Sequence, residues 1–499
     1  MKRKMRKFLQ WRIEPVWYLG MTILVLLLSL YPLLRLAGYS VPWYDDYNYG
    51  RFARDQMLWD GMTWGNAIKG AWESIRTSWY AWQGTYSSIF FMTLMPAIWG
   101  EEYYYLGPVF LILILTFAVS LLLYTVVRVL LRADRIHALA VGFGGAVLAL
   151  ELIHTAKEGI YWYNGGVHYV GMHSFLMILT AITIRIIQRE EKQKGWIRKV
   201  FRMIVAVILA FVVAGANFVT ALQGLLILVS IMVMEAVRRR PETFWILPVL
   251  GVYVAGFYLN VSAPGNMRRA DSYIGWGMSP WRAIVYSFAE GGKRAWQFTG
   301  WMAFVILLFL LPILLHIVSR TTFTFPLPGV VSLWSVCLYA TGFTPSLYSL
   351  GHGGLGRTLN AVKLTWQMLL LLNVIYWCGW IWKKRKGSRK SQMFSWWFYP
   401  LIAVMVLLVF HTESNQAGSF SSYGAYYYIH TGEANNFYQE YLERVARLKS
   451  DEQTVGLEPY IWKPWFLCMG DLSEDPENES NRSLASWYDK EAVFLLPRE

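Results

Sequence analysis

Stretches of about 20 mostly apolar residues recur along this chain, separated by short segments rich in Lys and Arg, and each is long enough to cross a lipid bilayer as an α-helix. Eleven segments meet that criterion: 16–37, 106–131, 137–153, 168–187, 202–216, 218–237, 244–260, 298–318, 327–347, 359–382 and 396–411. The fifth and sixth are nearly continuous. Asn217 between them is the expected turn, and a single long helix there would invert the sidedness of everything downstream. With 56% hydrophobic and only 16% charged residues, the composition excludes a soluble enzyme and predicts an all-α polytopic membrane protein.

A formal charge of +14 can indicate nucleic acid, but the basic residues here cluster at the ends of the apolar spans, which indicates membrane orientation and no nucleic-acid partner. With the N-terminus cytoplasmic, the inner segments are 1–14, 128–135, 185–202, 238–242, Arg320 and 383–390. Together they hold 26 of the 46 basic residues and few of the 32 acidic ones, as the positive-inside rule requires. The basic start followed by an apolar stretch reads as a retained anchor, since no small-residue cleavage site follows. Cys337, Cys378 and Cys468 are too few and too scattered for a disulfide framework or a zinc site.

This topology places the polar and glycine-rich segments on the outer face, at 42–105, 154–167, 261–297, 351–358 and a tail over 412–499. The helices are nearly free of charge and no internal repeat is evident, unlike a transporter working by alternating access. The division into units is 1–411 for the membrane region and 412–499 for a small outer domain. In that tail Phe437, Tyr441, Val445 and Leu448 fall on one face of a helix. The Asn478 and Asn481 sequons match by a pattern too short to carry weight.

Four outer elements carry candidate chemistry. Asp45 and Asp46 follow the first span; an acid pair beside a lipid surface can take a proton from a hydroxyl or hold a cation. After them, 51–82 carries Trp59, Trp64, Trp72, Trp79 and Trp82 among charged residues, as in interfacial helices, where the indoles either anchor the chain or line a groove. Gly159-Ile-Tyr-Trp-Tyr-Asn-Gly-Gly-Val-His-Tyr169 offers Trp162, Asn164 and His168 as a carbohydrate platform, or else makes a tight aromatic re-entry turn. Asn260-Val-Ser-Ala-Pro-Gly-Asn-Met-Arg-Arg269 places Arg268 and Arg269 on a face that should be poor in them. Their planar forks suit phosphate, with lipid headgroups or Asp271 as competing partners. Ser349-Leu-Gly-His-Gly-Gly-Leu-Gly-Arg-Thr-Leu-Asn360 puts His352 and Arg357 in a glycine-rich loop before a span, either an anion site at a helix start or a flexible connection. It lacks the Gly-Lys-Ser/Thr ending of a nucleotide-binding loop.

In this order, the tandem acid, the Trp-Tyr-Asn-Gly-Gly turn, Ala-Pro-Gly-Asn-x-x-Arg and Gly-Arg-Thr-Leu resemble an incompletely characterised family of bacterial multi-pass proteins. That family is related to the GT-C glycosyltransferases, which use sugars carried on polyprenyl phosphate. The likeness covers most of the membrane region and little of the tail. It implies a GT-C-like fold and an inverting transfer from a polyprenyl-phosphate donor to an extracytoplasmic cell-surface polysaccharide or teichoic-acid-like acceptor. It further implies Asp45 or Asp46 as general base, or as ligands of a divalent cation if one is used. Arg268, Arg269, Arg357 and His352 would hold the donor phosphate, with Trp162, Asn164, His168 and Asn266 toward the sugar. A transporter of lipid-linked saccharides, or a polysaccharide polymerase or ligase in which His352 and the arginines do the work, are the alternatives.

Overall fold

The computed structural model describes residues 13–188, 195–273, 275–385, 403 and 420–497. Eight of its helical segments are long and apolar enough to cross a membrane: Pro15–Ala37, Glu101–Leu130, Tyr163–Ile186, Phe218–Val237, Pro241–Val261, Trp301–Arg320, Pro328–Leu350 and Gly356–Lys384. The chain is therefore an all-α polytopic membrane protein. Two further expected spans are also helices. Arg135–Glu151 is only 17 residues long, and Gly195–Ala214 opens with Arg198, Lys199 and Arg202, which keep its first turns out of a purely apolar environment. The span expected at 396–411 lies outside the described residues, apart from Ala403.

The helices used below are, in chain order, α1 (Pro15–Ala37), α2 (Asp45–Asp60), α3 (Trp64–Ala81), α4 (Tyr86–Thr93), α5 (Leu106–Thr125), α6 (Arg135–Glu151), α7 (Tyr163–Ile186), α8 (Gly195–Ala214), α9 (Phe218–Val237), α10 (Leu247–Val261), α11 (Pro264–Asp271), α12 (Pro280–Phe298), α13 (Trp301–Arg320), α14 (Pro328–Ala340), α15 (Thr344–Leu350) and α16 (Gly356–Lys384). Their ends follow local chemistry. Pro at the first or second position opens α1, α11, α12 and α14, where the missing N–H costs no hydrogen bond. Between α8 and α9 the turn falls at Asn217, whose side chain accepts from the Thr220 N–H at 3.0 Å and caps α9. Two separate helices result, as the apolar pattern around Asn217 predicts.

The first connection is itself helical. α2 and α3 pack closely because Gly70 lies against the backbone of Phe52, where a Cβ would sit 2.6 Å from the Ala53 Cα. Trp59, Trp64 and Trp72 are exposed on this pair, whereas Trp79 donates to the Leu259 carbonyl at 3.3 Å. The tryptophans of this connection thus divide between a surface belt and contacts with the bundle.

Residues 420–497 form α17 (Ser421–His430), α18 (Glu433–Leu448), β1 (Thr454–Leu457), α19 (Glu479–Trp487) and β2 (Ala492–Leu495), with β1 and β2 paired in parallel, Thr454 opposite Ala492. Phe437, Tyr441, Val445 and Leu448 are all buried, as their spacing predicts. This unit does not stand apart from the bundle. α17 packs on α1 and α6, with the Ser422 N–H donating to the Glu151 carboxylate at 3.0 Å, and Tyr47 of α2 packs on Trp487 with ring centroids 5.5 Å apart.

Candidate active site

The ends of α2, α7, α11 and α16 meet the tail around one cavity of about 760 Å³. Its wall includes Asp45, Trp162, Asn164, His168, Arg269 and Arg357, so residues far apart in the chain and singled out from four separate sequence elements share one space. Three carboxylates (Asp45, Glu158 and Glu479) face four guanidinium groups (Arg51, Arg269, Arg357 and Arg482) across it. A cavity so lined can hold an anionic ligand beside a proton acceptor.

Asp45 and Asp46 open a helix; they do not lie on an extended segment, so their side chains diverge by about 100°. Tyr44, which precedes them, has φ +29° and ψ −85°, a strained backbone for a tyrosine. Its hydroxyl donates to Glu479 at 2.6 Å, tying this turn to the tail. Asp45 lines the cavity. Burial raises the pKa of its carboxyl, the positive charges of Arg357 and Arg269 oppose that rise, and the negative charge of Glu479 adds to it.

Asp46 turns inward and is fully buried. One oxygen accepts from the Trp43 N–H at 2.9 Å and the Tyr104 hydroxyl at 2.7 Å, and the other from the Asn164 N–H at 3.0 Å. Burial pushes its pKa up to about 7 against the pull of these three donors. The Asn164 amide completes the clamp by donating to the Asp45 carbonyl at 2.7 Å. Asp46 therefore fixes the start of α2 to the start of α7 and leaves its neighbour free to face the cavity. Asp46→Asn puts an NH₂ where donors already converge, and we expect a loss of about 2–4 kcal/mol with a lower Tm in detergent. An unchanged Tm would contradict this anchoring role.

The aromatic turn is buried wall and not an open platform. Trp162 and Asn164 are almost inaccessible, and π-helical turns at Lys157–Tyr161 and Val167–Gly171 flank them. Gly165 is required at the crossing, since a Cβ there would lie 2.7 Å from the Glu158 carbonyl oxygen and 2.5 Å from the Trp162 ring. Four buried polar atoms around this turn have no hydrogen-bond partner: Trp162 Nε1, Asn164 Oδ1, His168 Nδ1 and Glu158 Oε2. Orphaned groups of this kind cost free energy unless water or a ligand satisfies them.

The arginines are held in place. Arg357 lies over the Trp162 ring at 5.3 Å; Arg269 lies over Trp82 at 5.0 Å and donates to Gln83 at 2.7 Å. The helix carrying Arg357 begins at Gly356, against which Glu158 Oε2 packs so closely that a Cβ would collide with it. Besides Asp46, three expected contributors lie outside the cavity. Arg268 is exposed, and Arg269 is its neighbour about 100° further round α11. His352 is exposed, with its Nδ1 accepting from the Gly354 N–H at 3.2 Å. Asn266 braces the backbone, accepting from the Gly84 N–H at 3.1 Å and donating to the Asn260 carbonyl at 2.8 Å.

Glu158, Glu479, Arg51 and Arg482 were not singled out in the sequence. Glu158 directly precedes the aromatic turn, and that adjacency was the available signal. Glu479 and Arg482 gave none, because only the return of the tail brings them to the cavity. Among the described residues, no group of three or more His, Cys, Asp or Glu side chains is arranged to hold a metal ion. No protein family, curated protein or solved structure matches this chain.

Proposed function

We propose that this chain is a GT-C-like, membrane-integral inverting glycosyltransferase that moves a sugar from a polyprenyl-phosphate donor to an extracytoplasmic cell-surface polysaccharide or teichoic-acid-like acceptor. The supporting observation is the shared cavity, in which Asp45 faces Arg269 and Arg357 beside a turn of unpartnered polar groups. The proposal includes a bacterial plasma-membrane location, eleven spans with 396–411 among them, a cytoplasmic N-terminus and an outward-facing cavity.

In this mechanism Asp45 accepts the proton of the acceptor hydroxyl as its oxygen attacks the anomeric carbon. The bond from that carbon to the phosphate oxygen breaks, the electron pair leaves with polyprenyl phosphate, and one displacement inverts the anomeric configuration. Arg357 and Arg269 stabilise the negative charge that develops on the leaving phosphate. Cationic donors already in place do so without reorganising. Trp162, Asn164 and His168 bind the sugar. A divalent cation fits the donor set poorly, since the cavity carboxylates do not form a three-ligand group, and no step requires one.

The polymerase or ligase reading relies on His352 and the arginines; of these Arg269 and Arg357 line the cavity, and His352 lies outside it. The transporter reading predicts movement of the donor without a new bond. Product NMR tests the proposal: the new glycoside should have the anomeric configuration opposite to the donor's, and retention would overturn the single displacement. The pH profile offers a second test. Asp45 must be ionised to act and its pKa is raised, so kcat/KM should rise with pH through a limb above the usual carboxylate value of about 4. Glu479→Gln removes a negative charge that raises that pKa, so the limb should move to lower pH. A limb that stays in place would exclude Asp45 as the titrating base.

A further inference from the structure

A second and larger cavity, of about 1630 Å³, runs along α7 and α16 away from the first: its lining on α7 begins at His173, just past Tyr169 of the first cavity, and continues to Ile184. Only its far end, which includes Ile184 of α7 and Tyr376 of α16, lies some 20 residues from Asn164 and Arg357, or roughly 30 Å at a rise of 1.5 Å per residue. Its walls are mainly aliphatic, with Leu122, Met177, Ile184, Ile227, Leu369 and Leu372 among them, and its margin reaches Met234 and Val330, which are exposed on the outside of the bundle. At its deep end is a small polar cluster, in which the Thr365 hydroxyl lies 3.1 Å from His173 Nε2 and 2.8 Å from Gln223 Oε1. Five arginines rim it: Arg128, Arg132, Arg238, Arg239 and Arg240.

Protein interiors pack to a density of about 0.74, and an apolar void of this size is poorly filled by water. Hydrocarbon chains entering from the bilayer would fill it. The rim selects the headgroup. Buried Glu235 engages Arg238 at 3.1 Å and Arg240 at 3.4 Å, and Arg128 is bound to the Ala133 carbonyl. Among the described residues the side chains of Arg132 and Arg239 make no hydrogen bond or ion pair, leaving two guanidinium forks at the mouth of a hydrocarbon-sized cavity. Paired N–H donors of that kind match a phosphate.

We infer that this cavity binds a lipid with hydrocarbon chains and an anionic phosphate headgroup, in the leaflet opposite the candidate active site. The site is separate from the proposed sugar transfer and is tested without it. The full chain is purified, placed in nanodiscs of phosphatidylcholine with or without phosphatidylglycerol, and its retained lipids are counted by native mass spectrometry. Phosphatidylglycerol should be retained selectively. R132Q/R239Q should weaken its retention about 30-fold, on the scale of about fivefold for each cation near an anionic lipid surface. L372W, which fills the cavity and leaves the rim intact, should also reduce retention; it keeps the proposal testable if the arginine variant fails to fold. Equal retention of the two lipids, or wild-type retention in a folded R132Q/R239Q protein, would overturn the inference. Inorganic phosphate bound equally by wild type and L372W and displacing the lipid would also overturn it, by identifying a site for a free anion.

Discussion

Asp45→Asn should lower sugar transfer by about 10²–10⁴-fold and leave the Tm unchanged or slightly raised. The expectation rests on what each atom of the residue does. The Asp45 carbonyl, which accepts from Asn164, is untouched by the substitution, and the side chain lost to catalysis is a half-buried carboxylate on the cavity wall whose pKa is raised by desolvation. Asparagine keeps the shape and removes only the basicity. The neighbouring Asp46→Asn should show the opposite pattern, because its carboxylate binds three donors from separate parts of the chain and does not line the cavity. Transfer rates per folded molecule and Tm values for the two variants separate these roles. Equal effects on rate and stability in both would refute the division of labour.

Arg357→Ala should lower kcat by about 10²–10³-fold, the usual cost of removing one preorganised donor to developing negative charge. The residue comes from the first turn of α16, stacks on Trp162, and is the largest opposing charge acting on the Asp45 carboxyl. Its loss should therefore also raise the pKa of Asp45 and move the acid limb to higher pH, opposite to the shift expected of Glu479→Gln. Arg357→Lys keeps the charge but loses the planar fork and the stacking, and should recover only part of the rate. If Arg357→Ala raised KM alone, the arginine would bind ground state and transition state equally, and its role in stabilising the leaving phosphate would fall.

Much of the membrane architecture was legible in the sequence, because a span is a local property of about 20 residues and Asn217 caps a helix through its own side chain. Which side chains enter the cavity was only partly legible. Adjacent residues such as Asp45 and Asp46, or Arg268 and Arg269, differ by one helical step, and composition cannot reveal which of each pair faces inward. Asn266 is assigned to the sugar only by the resemblance; its actual partners, the backbones of Gly84 and Asn260, depend on packing between distant segments. The tail was the largest gap. Its helix pattern predicted the buried face of α18, but Glu479 enters the cavity through a contact with Tyr44 that spans 435 positions of sequence.

One measurement bears most directly on the proposed transfer. Proteoliposomes are loaded with a polyprenyl-phosphate-linked sugar and acceptor, and mass spectrometry follows free polyprenyl phosphate and the new glycoside together. One polyprenyl phosphate should appear for each glycosidic bond formed by the wild-type protein, with both products reduced in parallel in Asp45→Asn. Donor that crosses the bilayer intact with no new glycoside, or bond formation at the wild-type rate in Asp45→Asn, would contradict the mechanism.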